Sequence, residues 1–372
     1  MNKKIAFYIP LLNIGGAERV VLDLLREFAV KGEFDVYIIT DIENSVLANQ
    51  IPKAIKLIHL QCGGVVNRLL KIVRLRTLLR EHKFDFVISN LTHANIHIIM
   101  AKVLFHIKNT KLVLVEHSVA SQYINQIDGA VKRVLLWILT WLFYRRCDKL
   151  VCVSGNVKDD LVKHFHIPES QCEVIYNPID VNKILAMKTE AIDPYVIEFI
   201  KNKKVLISVG RLERQKNHKL LLQAFSLLGR SEFVLLIVGD GTLRKELEEF
   251  VRENHLADSV KFMGFQTNPY KYIKAANLLV LPSMFEGFGL VLVEAMLLGK
   301  QVVAVQSETI IEIIKLMGNG YLSNSNPHDL AEQILLASSQ NNQDDNYVES
   351  VTAKFAANSV YSLYREMLIK LA

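Results

Sequence analysis

Residues 285–294, FEGFGLVLVE, combine two carboxylates with a glycine-rich turn at the predicted start of a helix. The first turn of a helix carries unpaired backbone N–H groups and a partial positive charge, and both attract phosphate. Gly287 and Gly289 have no side chain that would block a ligand from this backbone. Glu286 and Glu294 can accept hydrogen bonds from neutral hydroxyls on either side of a phosphate. The segment therefore indicates a ligand with a phosphate centre and polyhydroxyl ends, such as a nucleotide sugar.

The loop over residues 210–217, GRLERQKN, follows a predicted strand and contains three cations, Arg211, Arg214 and Lys216. Arg211 and Lys216 could reach a diphosphate and stabilise the charge that builds on a leaving phosphate. The alternative is a solvated surface loop, because three cations in six positions are not rare. The position of this loop at the carboxyl end of a strand favours the functional interpretation, since ligands of parallel sheets bind there.

Two more loops follow predicted strands in the first half of the chain. Residues 13–18 contain Gly15 and Gly16, which would let the backbone approach a phosphate, although a tight turn chosen for packing is the alternative. His117, within the triplet EHS, could hydrogen-bond a sugar hydroxyl or the reacting centre, although a lone histidine is more often structural. No GxGxxG sequence occurs, so the fingerprint of a nicotinamide cofactor is missing.

Short apolar strands alternate with helices along most of the chain, which is typical of an α/β protein whose parallel sheets are covered on both faces. Helices are predicted over 17–30, 217–228, 242–253, 269–276, 290–298 and 358–369. Strands are predicted over 4–9, 36–40, 84–89, 112–116, 149–153, 204–209, 233–238, 260–263, 278–281 and 302–305.

The length of 372 residues predicts two domains. Asn177-Pro178 and Asp193-Pro194 interrupt the alternation, because the residue before proline avoids helix. We therefore expect domains over 1–180 and 201–350, with a linker over 181–200 between them. The remaining residues, 351–372, would form a helix that packs back on the first domain, after a loose polar stretch over 339–347.

Composition excludes several classes of protein. With 51% hydrophobic residues, long disordered regions are not expected. The four cysteines have no metal-site spacing and indicate reduced cytosolic thiols. No secretory signal opens the chain, and the longest uncharged apolar run, 134–144, is shorter than the roughly 20 residues that span a bilayer.

Basic residues form two groups, one on a further predicted helix and one around the apolar run over 134–144. The first group is Arg68, Lys71, Arg74, Arg76 and Arg80, and the second, which brackets the apolar run, is Lys132, Arg133, Arg145 and Arg146. Cations beside a tryptophan-containing apolar face suit an anionic membrane surface. A core helix with solvated charged ends is the alternative. A nucleic-acid partner is not expected, because no aromatic platform or reader motif accompanies these charges.

In this order along the chain, several segments together resemble the retaining glycosyltransferases of family 4. The segments are GGAERV (15–20), EHS (116–118), VCVSGNVKDDL (151–161), IPESQCEVIYNPID (167–180), VGRLERQKNH (209–218), LIVGDG (236–241), VKFMGF (260–265) and LPSMFEGFGLVLVEAMLLG (281–299). Glu286 and Glu294 match the E-x7-E spacing of that family. The resemblance implies the GT-B architecture, in which two Rossmann-like doubly wound domains face each other and hold the donor in the cleft.

By this resemblance, Arg211 and Lys216 would hold the donor diphosphate. Glu294 would accept the ribose hydroxyls, Glu286 would bind the transferred sugar, and His117 would contact that sugar near its anomeric carbon. Gly15 and Gly16 would close over the diphosphate from the first domain. Three residues would offer backbone N–H groups to the phosphate: Phe288, Gly289 and Leu290. Family members typically need neither a metal nor another cofactor, and we expect neither here.

The chain departs from the family pattern after Gly299. Members usually carry a glycine pair before a glutamate, whereas residues 301–309 read QVVAVQSET. That loop lies near the donor in the family's fold, so the change could alter the choice of sugar or weaken activity.

The expected function is retaining transfer of a sugar from a nucleotide sugar, with a UDP-sugar as the expected donor. The acceptor would be a lipid-linked or lipopolysaccharide- or capsule-type glycan at the inner face of a membrane, where the enzyme would be cytoplasmic and peripheral. Two alternatives stay open: a sugar-nucleotide epimerase or hydrolase, and a non-catalytic GT-B scaffold of a polysaccharide-assembly complex.

Overall fold

A computed structural model describes residues 2–13, 15–43, 46–62, 68–229, 231–340 and 347–372. Within them the chain divides into two compact units, one formed by Met1–Ile179 with Phe355–Ala372 and the other by Asp180–Lys354. Each unit is built on one parallel sheet. Every strand pairing in both sheets is parallel, which confirms the α/β class expected from the sequence.

The first unit has a seven-stranded sheet with the order β3-β2-β1-β4-β5-β6-β7. Its strands are β1 Lys3–Tyr8, β2 Phe34–Thr40, β3 Lys56–His59, β4 Phe86–Asn90, β5 Lys111–Glu116, β6 Lys149–Cys152 and β7 Cys172–Val174. The helices between them are α1 Gly16–Lys31, α2 Arg68–His82, α3 Thr92–Leu104, α4 Ala120–Asn125, α5 Ala130–Phe143 and α6 Gly155–Phe165. The central strands are almost wholly buried, as both faces of the sheet are covered.

The second unit has a six-stranded sheet with the order β10-β9-β8-β11-β12-β13. Its strands are β8 Lys204–Val209, β9 Phe233–Val238, β10 Val260–Gly264, β11 Leu278–Leu281, β12 Gln301–Val305 and β13 Tyr321–Ser323. Its helices are α7 Val181–Met187, α8 Pro194–Ile200, α9 His218–Ser226, α10 Arg244–Glu253, α11 Tyr270–Ala275, α12 Leu290–Leu297, α13 Glu308–Met317, α14 Pro327–Ser339 and α15 Tyr347–Phe355. All six residues of β9 are buried, which explains its uninterrupted apolar sequence.

The segment over 181–200 is not the linker that the prolines suggested. It forms α7 and α8, and both helices belong to the second unit. Asp180 caps α7 by accepting a hydrogen bond from the Lys183 backbone N–H at 3.0 Å, and Pro194 occupies the first turn of α8, where its missing N–H is not needed. The turn signals therefore mark helix starts. Most of the loose stretch expected over 339–347 lies outside the described residues.

The last helix, α16 Ala357–Leu371, belongs to the first unit although it follows the second in sequence. The Tyr361 ring packs edge-on against Phe28 of α1, with 4.7 Å between ring centroids. Arg365 donates to Glu33 at 2.6 Å at the end of the same contact. None of the helices in the described part of the chain has the length and hydrophobicity that a membrane span requires.

We expect Tyr361→Ala to lower the free energy of unfolding of the first unit by about 3–5 kcal/mol, because it removes a large buried ring and leaves a cavity. Tyr361 is 2% exposed. Both tryptophans of the chain lie in α5, so urea unfolding followed by tryptophan fluorescence reports this unit. Leu363→Ala, at a position 44% exposed on the same helix, is the control and should change the value by less than about 1 kcal/mol. Equal effects of the two variants would contradict the docking of α16.

Candidate functional site

The second sheet reverses its strand order between β8 and β11, which are neighbours although β9 and β10 lie between them in sequence. Crossovers therefore leave this point in opposite directions and open a crevice beyond the carboxyl ends of the two strands. The loop over 210–217 follows β8, and the loop over 282–289 follows β11. The two loops singled out for phosphate and hydroxyl binding thus meet where ligands of such sheets bind.

The two loops are joined by hydrogen bonds through Gln215. Its carbonyl accepts from the Met284 backbone N–H at 2.9 Å, and its side-chain amide donates to the Phe285 carbonyl at 3.0 Å. Gly239 directly follows β9 and packs against the loop over 210–217. A Cβ added at Gly239 would lie 1.9 Å from the carbonyl oxygen of Gly210. Gly239 also has φ +139°, so only glycine satisfies both the backbone conformation and the close approach.

Lys216 and Glu286 form a mostly buried ion pair, with the Lys216 Nζ 2.6 Å from Glu286 Oε1. The exposed fractions of the two side chains are 19% and 8%. The Lys216 aliphatic chain lies 3.6 Å from the position of a Cβ on Gly210, which is ordinary van der Waals contact, so it packs along this glycine. A sugar-binding carboxylate and a phosphate-binding cation, expected from separate loops, are therefore brought together. The pairing also holds the ammonium group in one place.

Glu294 lies in the second turn of α12 and is 6% exposed, so it is not an ordinary solvated helical glutamate. It accepts a hydrogen bond from the Tyr270 hydroxyl at 3.0 Å. Tyr270 begins α11 and was not anticipated from the sequence, where nothing in its spacing connects it with Glu294. The bond orients the Glu294 carboxylate.

Helix α12 begins after Gly289, whose φ of +86° lies in the left-handed region that glycine tolerates. A Cβ at Gly289 would lie 3.2 Å from the Ile310 side chain of α13. Phe288 is buried, and Leu290 opens the helix, so backbone N–H groups of its first turn have no partner within the helix. Arg211 is exposed, and no ion pair within the described part of the chain involves it.

The segment without the family's glycine pair, residues 301–309, covers β12 and the start of α13. Ser307 precedes this helix in an extended conformation, with φ −144°, and Glu308 is its first residue. The helix therefore begins directly beyond β12 and contacts the turn before α12 through Ile310. A helical turn that carries the Glu308 carboxylate therefore lies directly beyond β12.

The first unit also reverses strand order, between β1 and β4. Gly15 precedes α1, and Gly16 is the first residue of that helix, at the carboxyl end of β1. A Cβ on Gly15 would lie 2.2 Å from the Glu18 carboxylate, which folds back over the glycine. Ile14 lies outside the described residues. The expected contact of the two glycines with the donor stays a prediction.

His117 follows β5, the neighbour of β4, and hydrogen-bonds Asn90 at the end of β4. Its Nε2 lies 3.0 Å from the Asn90 side-chain oxygen, while the Asn90 amide nitrogen donates to the Tyr8 carbonyl at 3.4 Å. Because the oxygen of Asn90 can only accept, the imidazole proton is placed on Nε2. Burial lowers the pKa of His117 to about 4, so the ring is neutral near pH 7. Its Nδ1 is left as an acceptor without a hydrogen-bond partner among the described residues.

Glu116, next to His117, is 1% exposed, and two hydroxyl groups donate to its carboxylate. The Tyr144 hydroxyl donates at 2.7 Å, and the Thr92 hydroxyl lies 3.0 and 3.1 Å from the two carboxylate oxygens. Asn95 donates to the Tyr144 oxygen and extends the network. Burial raises the pKa of Glu116 to about 7, although these donors oppose the rise. Sequence reasoning missed this network because its members are far apart in the chain.

The two basic groups differ in their surroundings. The described cations of α2 contact the first unit itself: Lys71 pairs with Asp41, Arg74 donates to the Leu60 and Gln61 carbonyls, Arg76 lies over the Phe105 ring, and Arg80 donates to the Phe105 carbonyl. The apolar face of α5 is instead exposed at six large residues: Val131, Val134, Leu135, Ile138, Trp141 and Leu142. Helix α5 is therefore not an ordinary core helix.

Within the described ranges, no cluster of three or more metal-binding side chains occurs.

Comparison with known proteins agrees with this geometry. The model of Glycosyl transferases group 1 matches residues 192–353, and that of Glycosyltransferase Family 4 matches residues 14–183. A Campylobacter jejuni relative, N-acetylgalactosamine-N,N'-diacetylbacillosaminyl-diphospho-undecaprenol 4-alpha-N-acetylgalactosaminyltransferase, is 32% identical over 79% of this chain and 78% of its own length. The Escherichia coli O-antigen biosynthesis glycosyltransferase WclY is 26% identical over 98% of this chain and 100% of its own.

Among solved structures, Anabaena HepE in complex with UDP-glucose superposes with a TM-score of 0.80 at 20% identity, over 99% of both chains. The fold is therefore the GT-B fold expected from the sequence. Together the matches define an enzyme class that transfers sugars. The chain belongs to the glycosyl transferases group 1 family and is a glycosyltransferase.

We expect the stability of the first unit to fall as pH rises from about 4.5 to about 7, because folded Glu116 holds its proton in this window while unfolded glutamate does not. The full change is roughly 3 kcal/mol. Glu116→Gln cannot titrate, so its free energy of unfolding relative to the wild type should rise by this amount between pH 4.5 and pH 8. Urea unfolding followed by tryptophan fluorescence measures the difference. A difference that is the same at every pH would show that Glu116 does not titrate there.

Proposed function

We propose that the protein transfers a sugar from a UDP-sugar to a lipid-linked or lipopolysaccharide-type glycan, with retention of anomeric configuration. The observation that carries this proposal is the Lys216–Glu286 ion pair at the strand-order reversal of the second sheet, together with the buried Glu294 on the helix that follows the second of the two loops. A cation, two carboxylates and a helix start are the groups that a diphosphate flanked by two sugars requires.

In this proposal Lys216 binds the donor diphosphate and stabilises the charge that develops when the glycosidic bond to phosphate breaks. Arg211, exposed on the same loop, adds a second cation when the donor arrives. The first backbone N–H groups of α12, around Phe288, Gly289 and Leu290, bind the phosphate oxygens. No metal is assigned to these steps, because the chain supplies positive charge at each of them.

The carboxylates would recognise the two ends of the donor. Glu294, oriented by Tyr270, accepts hydrogen bonds from the ribose hydroxyls. Glu286 accepts from hydroxyls of the transferred sugar while it keeps Lys216 in position. The complex of HepE with UDP-glucose supports UDP as the nucleotide.

His117 would contact the transferred sugar near its anomeric carbon. As a neutral ring with Nε2–H bound to Asn90, it offers Nδ1 as an acceptor for a sugar hydroxyl. We assign no protein nucleophile, and retention is part of the proposal on the strength of the family resemblance. The diphospho-undecaprenol acceptor in the name of the Campylobacter jejuni relative and the O-antigen role in that of WclY support a lipid-linked or O-antigen-type acceptor.

We further propose that α5 places the enzyme on an anionic membrane surface at the inner face of the membrane. Its exposed apolar residues are flanked by Lys132 and Arg133 at one end and by Arg145 and Arg146 at the other. Apolar burial at the interface and attraction of the cations to anionic lipids would act together.

We expect Lys216→Ala to lower kcat by a factor of about 10²–10³, the typical effect of removing one group that stabilises developing charge. Turnover is measured by mass spectrometry with a panel of nucleotide sugars and a membrane lipid extract. Lys219→Ala is the matched control, because Lys219 is a half-exposed lysine that pairs with Glu246 on the surface. Retained full activity of Lys216→Ala would reject the role of Lys216.

Calorimetric titration with UDP and with GDP tests the whole proposal. Binding of UDP that weakens in Glu294→Ala is expected. If neither nucleotide binds, the proposal is wrong and the scaffold alternative is favoured, whereas donor turnover without any acceptor would favour an epimerase or hydrolase.

We expect the double variant Arg145→Glu, Arg146→Glu to bind vesicles containing anionic lipid at least about thirtyfold more weakly, since each cation near the surface contributes roughly 1 kcal/mol. Vesicle flotation at low salt measures the loss. The control is the double variant Lys245→Glu, Arg252→Glu on α10, which makes the same change of charge at exposed positions of the second unit. An equal loss in both variants would mean that net charge, and not α5, determines binding.

A further inference from the structure

A groove of about 300 Å³ lies between α4 and α5 in the first unit. This volume is at the lower end of the range for ligand pockets, roughly 300–1,000 Å³. Its walls are mostly apolar, and the apolar lining residues are Ile124, Ala130, Val134, Trp137 and Ile138. A groove of this size and lining suits a short length of hydrocarbon chain.

One cation lies at the edge of the groove. Arg133 lines it and reaches across from α5 to the end of α4, where its guanidinium donates to the Asn125 carbonyl at 3.4 Å. This contact occupies one N–H group of five, and no carboxylate in the described ranges pairs with Arg133. The remaining donors can bind phosphate oxygens in the fork geometry that guanidinium favours.

The groove is close to His117 along the chain. Helix α4 begins three residues after His117, and Ile124 lies little more than one turn into it. The distance between His117 and the groove is therefore at most roughly 20 Å. Two hydrogen-bonded anchors fix this connection, since Asp160 of α6 accepts from both the backbone N–H and the hydroxyl of Ser121.

We propose that this groove binds the lipid end of a polyprenyl-diphosphate-linked acceptor. The isoprene units nearest the diphosphate lie against Val134, Trp137 and Ile138, and Arg133 binds the diphosphate. The glycan then extends along α4 towards His117. This inference rests on the proposed function, because it assumes a lipid-linked acceptor.

The groove overlaps the exposed face of α5 that we assign to the membrane surface, because Val134 and Ile138 belong to both. Val131, Leu135 and Leu142 belong to that face and do not line the groove. A flat bilayer contacts convex residues of this kind, whereas a single chain fits the concave space between two helices. The juxtaposition of an apolar groove with one unpaired guanidinium specifies a chain that carries an anionic group at its end.

Tryptophan fluorescence tests this binding without turnover. Trp137 lines the groove, and Trp141→Phe leaves it as the sole tryptophan of the chain. The probe is farnesyl diphosphate, with farnesol and inorganic pyrophosphate as the chain-only and charge-only controls. We expect saturable fluorescence change with farnesyl diphosphate, weaker change with farnesol and none with pyrophosphate.

Two matched pairs of variants separate groove from surface. Ile138 and Leu135 are both 48% exposed on α5, but only Ile138 lines the groove. Ile138→Glu should therefore weaken farnesyl diphosphate binding at least tenfold, whereas Leu135→Glu should leave it within about twofold. Arg133→Ala should weaken it by roughly tenfold or more, the loss expected for hydrogen bonds to a charged group, while the adjacent Lys132→Ala should not.

Two results would overturn the proposal that the groove binds the lipid end of the acceptor. One is an equal loss of binding in Ile138→Glu and Leu135→Glu, and the other is no saturable signal in the Trp141→Phe background. UDP titration on the same protein separates this result from the proposed function. If UDP binds and farnesyl diphosphate does not, the acceptor site is wrong and the glycosyl transfer proposal stands. If farnesyl diphosphate binds and UDP does not, the groove stands as a lipid site and the proposed transfer is wrong.

Discussion

The ion pair between Lys216 and Glu286 is the interaction on which the site depends. Taking two charges out of water is unfavourable, and their mutual attraction often does no more than offset that loss. The pair is therefore a weak contribution to stability, and its retention requires another reason. The proposed ligand would supply one, because a diphosphate and a sugar would give each charged group an additional partner. Truncating either residue would leave the other charge buried alone.

The positions of these two residues follow from backbone contacts. Gly239 lies against Gly210 so closely that no side chain fits between them, and Gln215 ties the loop over 210–217 to the loop over 282–289. These contacts fix the loops beyond the ends of β8 and β11, two strands that are themselves buried between helices. The site is thus held by the sheet, and its loops have little freedom to separate Lys216 from Glu286.

The sequence predicted the strands because parallel strands buried on both faces are continuous apolar runs, as in β9. It missed β3, β7 and β13, which are short strands at or near sheet edges, with partly exposed residues and no apolar run. It also marked Lys216, Glu286 and Glu294 separately as binding residues. It could not pair Lys216 with Glu286 or Glu294 with Tyr270, because such contacts depend on how distant loops meet. Local sequence patterns carry no information on which distant loops come into contact.

The same limit hid the network around Glu116, which connects two parts of the first unit. Tyr144 directly follows α5, and its hydroxyl is bound by the carboxylate that precedes His117. A carboxylate without these donors would be left buried and unsatisfied, at a loss of several kcal/mol. The end of α5 and the end of β5 therefore keep a fixed relation. Asp160 anchors α4 from the other side, so hydrogen bonds connect α4 to α6 and the end of α5 to the end of β5, next to His117. In the proposed acceptor complex, the distance between the lipid in the groove and the imidazole of His117 would be set by the fold of this unit.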